Sequence, residues 1–291
     1  GAILGTPQYD SVHEYIVVGT TTRHVYVLHA QTGQIIWSKL INGAIYATPV
    51  IKEEAVILCA GKCVVSLQIV SGDLQLSTEL GGFSTGMPAV DDRTVYVGAG
   101  DGRVYALDRR TGNILWEKLL TIKERPFRTL IYSAWATKTA LVPTVHKKPP
   151  IVIFSSVEAT YGLHQRTGEV IWSSDISNPF SKPIFHMGEQ EMMAILVDDW
   201  GDIAAINPYT GKVFWKITGR QRFFNTSARI YKDRIYVIGV NGLLMGIHLL
   251  TGQVVDQYHI STKYIYSTPV RINDHLYIGD QAGRIRKIKL M

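Results

Sequence analysis

Val104-Tyr105-Ala106-Leu107-Asp108-Arg109-Arg110-Thr111-Gly112-Asn113-Ile114-Leu115-Trp116 decides the fold. Apolar side chains alternate from Val104 to Leu107, the period-two pattern of a half-buried strand. Asp108 opens a turn by bonding the backbone ahead of it, and Gly112 closes the turn in a left-handed conformation. Ile114, Leu115 and Trp116 then resume as a second strand. Upstream, Met87-Pro-Ala-Val and Thr94-Val-Tyr-Val-Gly supply two more strands, and Gly100-Asp101-Gly102 makes the hairpin turn into Arg103. Residues 87–116 therefore read as one four-stranded antiparallel sheet.

The pattern repeats along the chain. Thr or Ser, then Gly, then a large residue four positions later recurs at Thr32-Gly33…Trp37, Ser71-Gly72…Leu76, Thr111-Gly112…Trp116, Thr167-Gly168…Trp172 and Thr210-Gly211…Trp215. Thr251-Gly252…Asp256 keeps the turn and loses the large residue. Successive glycines are 39, 40, 56, 43 and 41 residues apart, so the unit is about forty residues with one insertion. A four-stranded unit of that length, repeated radially, is a β-propeller blade. The inner strands are marked by Thr6-Pro7, Thr48-Pro49, Met87-Pro88, Val142-Pro143, Lys182-Pro183, Ser227-Ala228 and Thr268-Pro269. The prediction is an all-β, seven-bladed propeller in a single domain over residues 1–291. Only three strands fit in the last blade before Met291, so its fourth is absent or comes from chain preceding Gly1. The opening Gly1-Ala2-Ile3-Leu4-Gly5, without an initiator Met, is expected to belong to a longer polypeptide.

Val104 to Trp116 resembles the repeat of pyrroloquinoline-quinone-type (PQQ-like) propellers. Val25 to Trp37 is a close second copy, and Thr160 to Trp172 and Ile203 to Trp215 are weaker ones. The resemblance implies that Trp37, Trp116, Trp172 and Trp215 dock between adjacent blades. The family divides into quinone-dependent dehydrogenases and non-catalytic propellers. The latter include the BamB-type outer-membrane assembly scaffold and the C-terminal propeller of adenylating enzymes similar to aminoadipate-semialdehyde dehydrogenase. Catalytic members have eight blades, an adjacent Cys-Cys pair, a carboxylate and amide calcium site, and often a Cys-x-x-Cys-His segment. This sequence has seven blades by count and neither cysteine motif, which implies a scaffold without cofactor or chemistry.

Composition agrees with a folded β protein. Hydrophobic residues are 46% and charged residues 19%, and 26 Gly accompany 15 Tyr, 8 Phe and 6 Trp. A disordered chain needs the opposite balance. No apolar run approaches the ~18 residues of a membrane-spanning helix. The net charge of +6 favours an acidic protein or peptide partner and is too small to argue for nucleic acid. Two cysteines and no leader sequence lean towards the cytoplasm.

His29, His164 and His248 stand three residues before the Thr, where Asp108 and Asn207 also stand, so they read as turn openers and not as metal ligands. Cys59 and Cys63 end facing strands of one hairpin; reduced thiols are the first reading and a cross-strand disulfide the second. Asp198, Asp199 and Asp202 lack the Gly and final Glu of a calcium loop and read as a solvated turn. Trp200 is unusual there, since it puts a large aromatic where Asp101 stands in the repeat above. The insertion, at about residues 117–139, carries Lys118, Lys123, Arg125, Phe127, Arg128, Tyr132, Trp135 and Lys138. Connections between blades open on the same face as the first hairpin turns. On that face Arg23, Trp200, Arg220, Arg222, Phe223, Lys263 and Tyr264 are expected to join Arg125, Phe127, Arg128 and Trp135 in a basic, aromatic docking surface. The leading function is a non-catalytic binding scaffold. The alternatives are an accessory propeller of a larger adenylating or other multidomain enzyme, and a quinone-dependent oxidoreductase.

Overall fold

The structure is a computed structural model that describes residues 1–120, 139–145, 147–156, 159–177, 182–188, 191–219, 221–223 and 226–290. Among these residues every regular element is a β-strand, and the strands form seven antiparallel sheets. Six have four strands in sequence order, and the last has three, as the repeat arithmetic requires.

The chain divides into two compact units. The first comprises Gly1–Leu141, Phe154–Val157 and Leu163–Glu169. It holds blade one (Gln8–Asp10, Tyr15–Gly19, His24–His29, Ile35–Leu40), blade two (Val50–Lys52, Ala55–Ala60, Cys63–Gln68, Leu74–Glu79) and blade three (Ala89–Val90, Thr94–Gly98, Arg103–Asp108, Ile114–Leu119). Its cores are layers between successive sheets. Val17, Val27, Leu58 and Leu67 fill the layer between blades one and two; Ile57, Val64, Val97 and Leu107 fill the next.

The second unit comprises Val142–Ile153, Glu158–Gly162 and Val170–Met291. Blade five (Ile184–Met187, Met192–Val197, Ile203–Ile206, Val213–Ile217), blade six (Arg229–Tyr231, Arg234–Ile238, Leu243–His248, Val254–His259) and the three-stranded blade seven (Val270–Ile272, His275–Gly279, Ile285–Lys289) lie within it. Its cores are again inter-sheet layers, such as Ile195, Ile203, Phe223, Ile235 and Ile247 between blades five and six. Blade four is the sheet of Ala140–Leu141, Ile151–Ser155, Thr160–His164 and Val170–Ser174.

The local chemistry of the repeat explains its spelling. In each Thr-Gly or Ser-Gly turn the Gly N–H donates to the carbonyl four residues back: Gly33 to His29, Gly72 to Gln68, Gly112 to Asp108, Gly168 to His164, Gly211 to Asn207 and Gly252 to His248. That closure needs a positive φ, and these glycines stand at +69° to +76°. Asp108 Oδ1 accepts the N–H groups of Arg110 and Thr111, and Asn207 Oδ1 those of Tyr209 and Thr210. His248 Nδ1 accepts from Thr251 N–H, whereas the buried His29 Nδ1 has no partner. Beyond five of these turns, those at Gly33, Gly72, Gly112, Gly211 and Gly252, the third and outer strands slip register at a bulge, after Val27, Ser66, Ala106, Ala205 and Gly246. The bulge sets Trp37 opposite Val27, Trp116 opposite Ala106 and Trp215 opposite Ala205.

Cys59 and Cys63 are both free thiols. Cys59 pairs in register with Val64, and Cys63 with Ala60. Cys59 packs with Ile57 and Val64, and Cys63 with Ala60 and Val65, so their side chains leave opposite faces of the sheet. That geometry removes the disulfide alternative.

Candidate functional site

Each tryptophan of the repeat reaches the following one. Trp37 Nε1 donates to Ile69 O at 2.8 Å, Trp116 Nε1 to Gln165 O at 2.8 Å, Trp172 Nε1 to Pro208 O at 2.9 Å and Trp215 Nε1 to Leu249 O at 2.9 Å. These acceptors all lie in the turn between the third and outer strands.

The first hairpin turns and the inter-blade connections share one rim in each unit, knitted by backbone hydrogen bonds. In the first unit Ile45 N–H donates to Thr20 O, Gly61 to Ala44 O, Ser84 to Gly61 O and Gly100 to Phe83 O. In the second, Phe223 donates to Asp199 O, Val240 to Arg222 O, Ile265 to Val240 O and Gln281 to Tyr264 O. This ladder defines equivalent positions. Ala44, Phe83, Arg222 and Tyr264 are one set. The residues that follow them, Ile45, Ser84, Phe223 and Ile265, are another and are buried.

Two rim positions carry a cation over an aromatic ring. Lys62, in the turn of blade two, stands 5.7 Å over the ring of Phe83 in the connection that follows. Trp200, in the turn of blade five, lies 4.8 Å beneath the guanidinium of Arg222 in the connection that follows. The ladder makes Lys62 equivalent to Trp200 and Phe83 to Arg222. The same pair is thus built twice with cation and aromatic exchanged. Phe83 is 57% exposed and Trp200 72%. Tyr264 is also exposed, with its ring 6.0 Å from that of Tyr266.

Of the surface residues expected from sequence, Arg23 is exposed on the rim of the first unit, in a turn where its φ is +69°. Trp200, Arg222 and Lys263 are exposed on the rim of the second. Phe223 is a correction. Its side chain is 1% exposed and belongs to the core layer between blades five and six, because the bond to Asp199 O turns it inward. Arg125, Phe127, Arg128, Trp135 and Arg220 lie outside the described residues. Lys62 and Phe83 escaped the sequence reading, although Phe83-Ser84 aligns with Arg222-Phe223 once the connections are superposed.

The acidic turn also differs from the solvated turn expected. Asp198 is buried, accepts Ser177 Oγ–H at 2.8 Å and the Trp200 N–H at 2.5 Å, and is pushed above the usual carboxylate range by burial. Asp199 Oδ2 accepts from Arg222 Nη2 at 2.6 Å, and Asp202 Oδ2 lies 2.9 Å from Lys216 Nζ. Inward pairing fixes the turn and presents Trp200 at its tip. Arg222 is therefore a clamp for the ring, and its charge is shared with Asp199.

On the other side of the first unit a cleft of ≈ 580 Å³ is lined by Lys52, Glu53, Asp92, Arg93, Asp108 and Arg109. Its charges pair with each other, Lys52 with Asp92 at 2.6 Å and Arg109 with Glu53 at 2.9 Å. No helix of the described residues is long and apolar enough to cross a membrane.

The profile of the family described as outer membrane protein assembly factor BamB matches residues 60–148 and 143–290. BamB of Shewanella oneidensis is 22% identical over 94% of this chain and 69% of its own length, and BamB of Yersinia pestis 23% identical over 93% and 68%. The crystal structure of BamB from Moraxella catarrhalis superposes with a TM-score of 0.80 at 21% identity, covering 99% of this chain and 86% of that one. A europium-containing methanol dehydrogenase also superposes, with a TM-score of 0.72 at 13% identity over 97% and 72%, a likeness of fold alone. The leaning towards the cytoplasm is overturned, since the relatives are factors of outer membrane assembly. Two free thiols in a β-sheet, one buried and one half-buried, carry no information about compartment. With most of its length matched by that profile, the chain belongs to the PQQ-like propeller family of outer membrane protein assembly factor BamB.

Proposed function

We propose that this chain serves in outer membrane protein assembly as a non-catalytic β-propeller scaffold, and that it engages its protein partners through the rim of hairpin turns and inter-blade connections. The repeated cation–aromatic pair carries the reading. Phe83 and Trp200 are large rings held exposed by Lys62 and Arg222, and an exposed ring of that size is costly unless a partner covers it. Trp and Arg also dominate interface hot spots. Arg23 and Lys263, with Arg125, Phe127, Arg128, Trp135 and Arg220 of the sequence, extend the same basic and aromatic character and fit an acidic protein or peptide.

A photo-crosslinking side chain placed at Phe83 or at Trp200 tests this in cells. Specific adducts with outer membrane assembly proteins are expected there and not from Val12, which is exposed in the turn after the inner strand of blade one. Adducts from Val12 with none from the rim would refute the assignment.

The oxidoreductase reading is tested by adding pyrroloquinoline quinone with Ca²⁺ and scanning the visible range. A spectral change with dye reduction would replace the scaffold reading by an enzyme.

A further inference from the structure

Blade two breaks the repeat at one position, and a cleft stands where it breaks. Elsewhere the indole of one repeat donates to a carbonyl in the next turn: Trp37 to Ile69 O, Trp116 to Gln165 O, Trp172 to Pro208 O and Trp215 to Leu249 O. Each acceptor immediately follows the residue whose carbonyl the turn glycine bonds, which is Gln68, His164, Asn207 or His248. The turn of blade three is built alike, with Gly112 N–H donating to Asp108 O at 2.8 Å. Its matching acceptor is the carbonyl of Arg109.

The side chain due to meet that carbonyl is Leu76. It stands opposite Ser66 beside a bulge, as Trp116 stands opposite Ala106. Leucine has no N–H to give. Thr78 Oγ1 donates to the neighbouring Gly112 O at 2.8 Å, and among the described residues no group donates to Arg109 O. Leucine also fills less space. A Cβ on the turn glycine would lie 2.6–2.9 Å from the indole at the four tryptophan junctions, whereas at Gly112 it would lie 3.7 Å from Leu76 Cδ1.

Leu76, Ser66 and Arg109 line the cleft of ≈ 580 Å³, a volume inside the range of about 300–1,000 Å³ for small-molecule pockets. Its lining carries four cations (Lys52, Arg93, Arg109, Arg110) and four carboxylates, so the cleft has no net charge and favours a neutral ligand. The Arg109 guanidinium is held by Asp92 O at 3.0 Å and by Glu53 at 2.9 Å. A guanidinium plane is a surface on which aromatic rings stack.

We propose that the cleft between blades two and three binds a neutral aromatic ring that carries an N–H donor, an indole or a similar heterocycle. Its N–H meets the Arg109 carbonyl and its ring lies against Leu76, in the place that the chain's own tryptophans fill at the other junctions. The site is away from the rim and does not rest on the scaffold reading.

Fluorine NMR of 5-fluoroindole mixed with the whole chain tests this. A saturable shift or broadening is expected, reversed by unlabelled indole. The 1-methyl derivative of indole keeps the ring and loses the donor, and should displace the probe several-fold more weakly. Leu76→Trp supplies the ring from within, and is expected to abolish binding and raise the melting temperature. N-acetyltryptophanamide separates two sources of the ring: displacement by it points to the tryptophan side chain of a peptide, and its failure where indole succeeds points to a free small molecule. If Leu76→Trp does not fold, the comparison of indole with its 1-methyl derivative on the parent chain still decides. The site is disproved by absence of saturable binding, by equal displacement with the 1-methyl derivative, or by a folded Leu76→Trp that binds the probe as the parent does.

Discussion

Gly168 lies so close beneath the indole of Trp116 that a Cβ at Gly168 would stand 2.6 Å from Cε3 of that ring. The same holds between Gly72 and Trp37, Gly211 and Trp172, and Gly252 and Trp215. The glycine of one repeat therefore does two things. It takes the positive φ that closes its own turn, and it leaves room for the tryptophan of the repeat before. Blade two departs from the rule: it has Leu76 for Trp, and Thr78 Oγ1 donates to Gly112 O at 2.8 Å instead.

Gly33 offers the control, because its φ is +70° and nothing lies within 4 Å of the Cβ it lacks. Gly33→Ala meets only backbone strain, about 1–2 kcal/mol. Gly168→Ala adds a clash with Trp116, which typically costs a further 1–3 kcal/mol, roughly. Trp116→Ala should itself cost roughly 3–5 kcal/mol. Urea denaturation of the three variants decides. Equal losses at Gly33 and Gly168 would mean that the ring does not bear on the turn.

Both thiols should titrate as free, at different rates. Cys63 is half-buried and should react slowly with a disulfide reagent in the native protein. Cys59 is fully buried with its thiol pushed up to about 12, and should react only on unfolding. Identical migration with and without reductant is the companion result. A Cys59–Cys63 bridge would contradict the opposed strand faces.

Asp198 gives a pH signature. Burial raises its carboxyl above 3.8, so the folded chain holds that proton more tightly than the unfolded chain. Its contribution to stability is complete below the unfolded value and is lost as pH climbs through the raised folded value. The melting temperature of the parent relative to Asp198→Asn should therefore fall as pH rises from 4 towards neutrality. A difference that grows with pH would reverse the assignment.

Charge on the rim should govern the speed of capture. Arg23→Glu with Lys263→Glu, both exposed on the rim, is expected to slow association with the partner several-fold and flatten its salt dependence, leaving the melting temperature nearly unchanged. Surface-plasmon measurements at two ionic strengths check this. Unchanged association would remove the electrostatic part of the proposal.

The blades were legible because their turn chemistry is local. Asp108, Thr111 and Gly112 specify a closure that depends on nothing outside it, and the same holds at Asn207, Thr210 and Gly211. The rim was legible only in part. Arg222 and Phe223 are adjacent, yet one is exposed and the other is core, because backbone bonds to Asp199 and Val240 set their directions. No period in a connection reveals that. Lys62 and Phe83 went unnoticed since their partnership lies across a sheet, 21 positions apart in sequence. Compartment was not legible either, since thiols shielded by packing look alike wherever the chain works.

The central claim is that the rim is where this scaffold is used. Outer membrane protein levels should be measured in cells lacking the chain and supplied with the parent, with Phe83→Ala/Trp200→Ala, or with the outer-strand control Ile35→Ala/Leu115→Ala. All three proteins must be matched for abundance and melting temperature. The rim variant is expected to lose most of the rescue, and the control, whose exposed residues lie on the outer strands of blades one and three, to retain it. Full rescue by the rim variant, or equal loss in the control, would contradict the account.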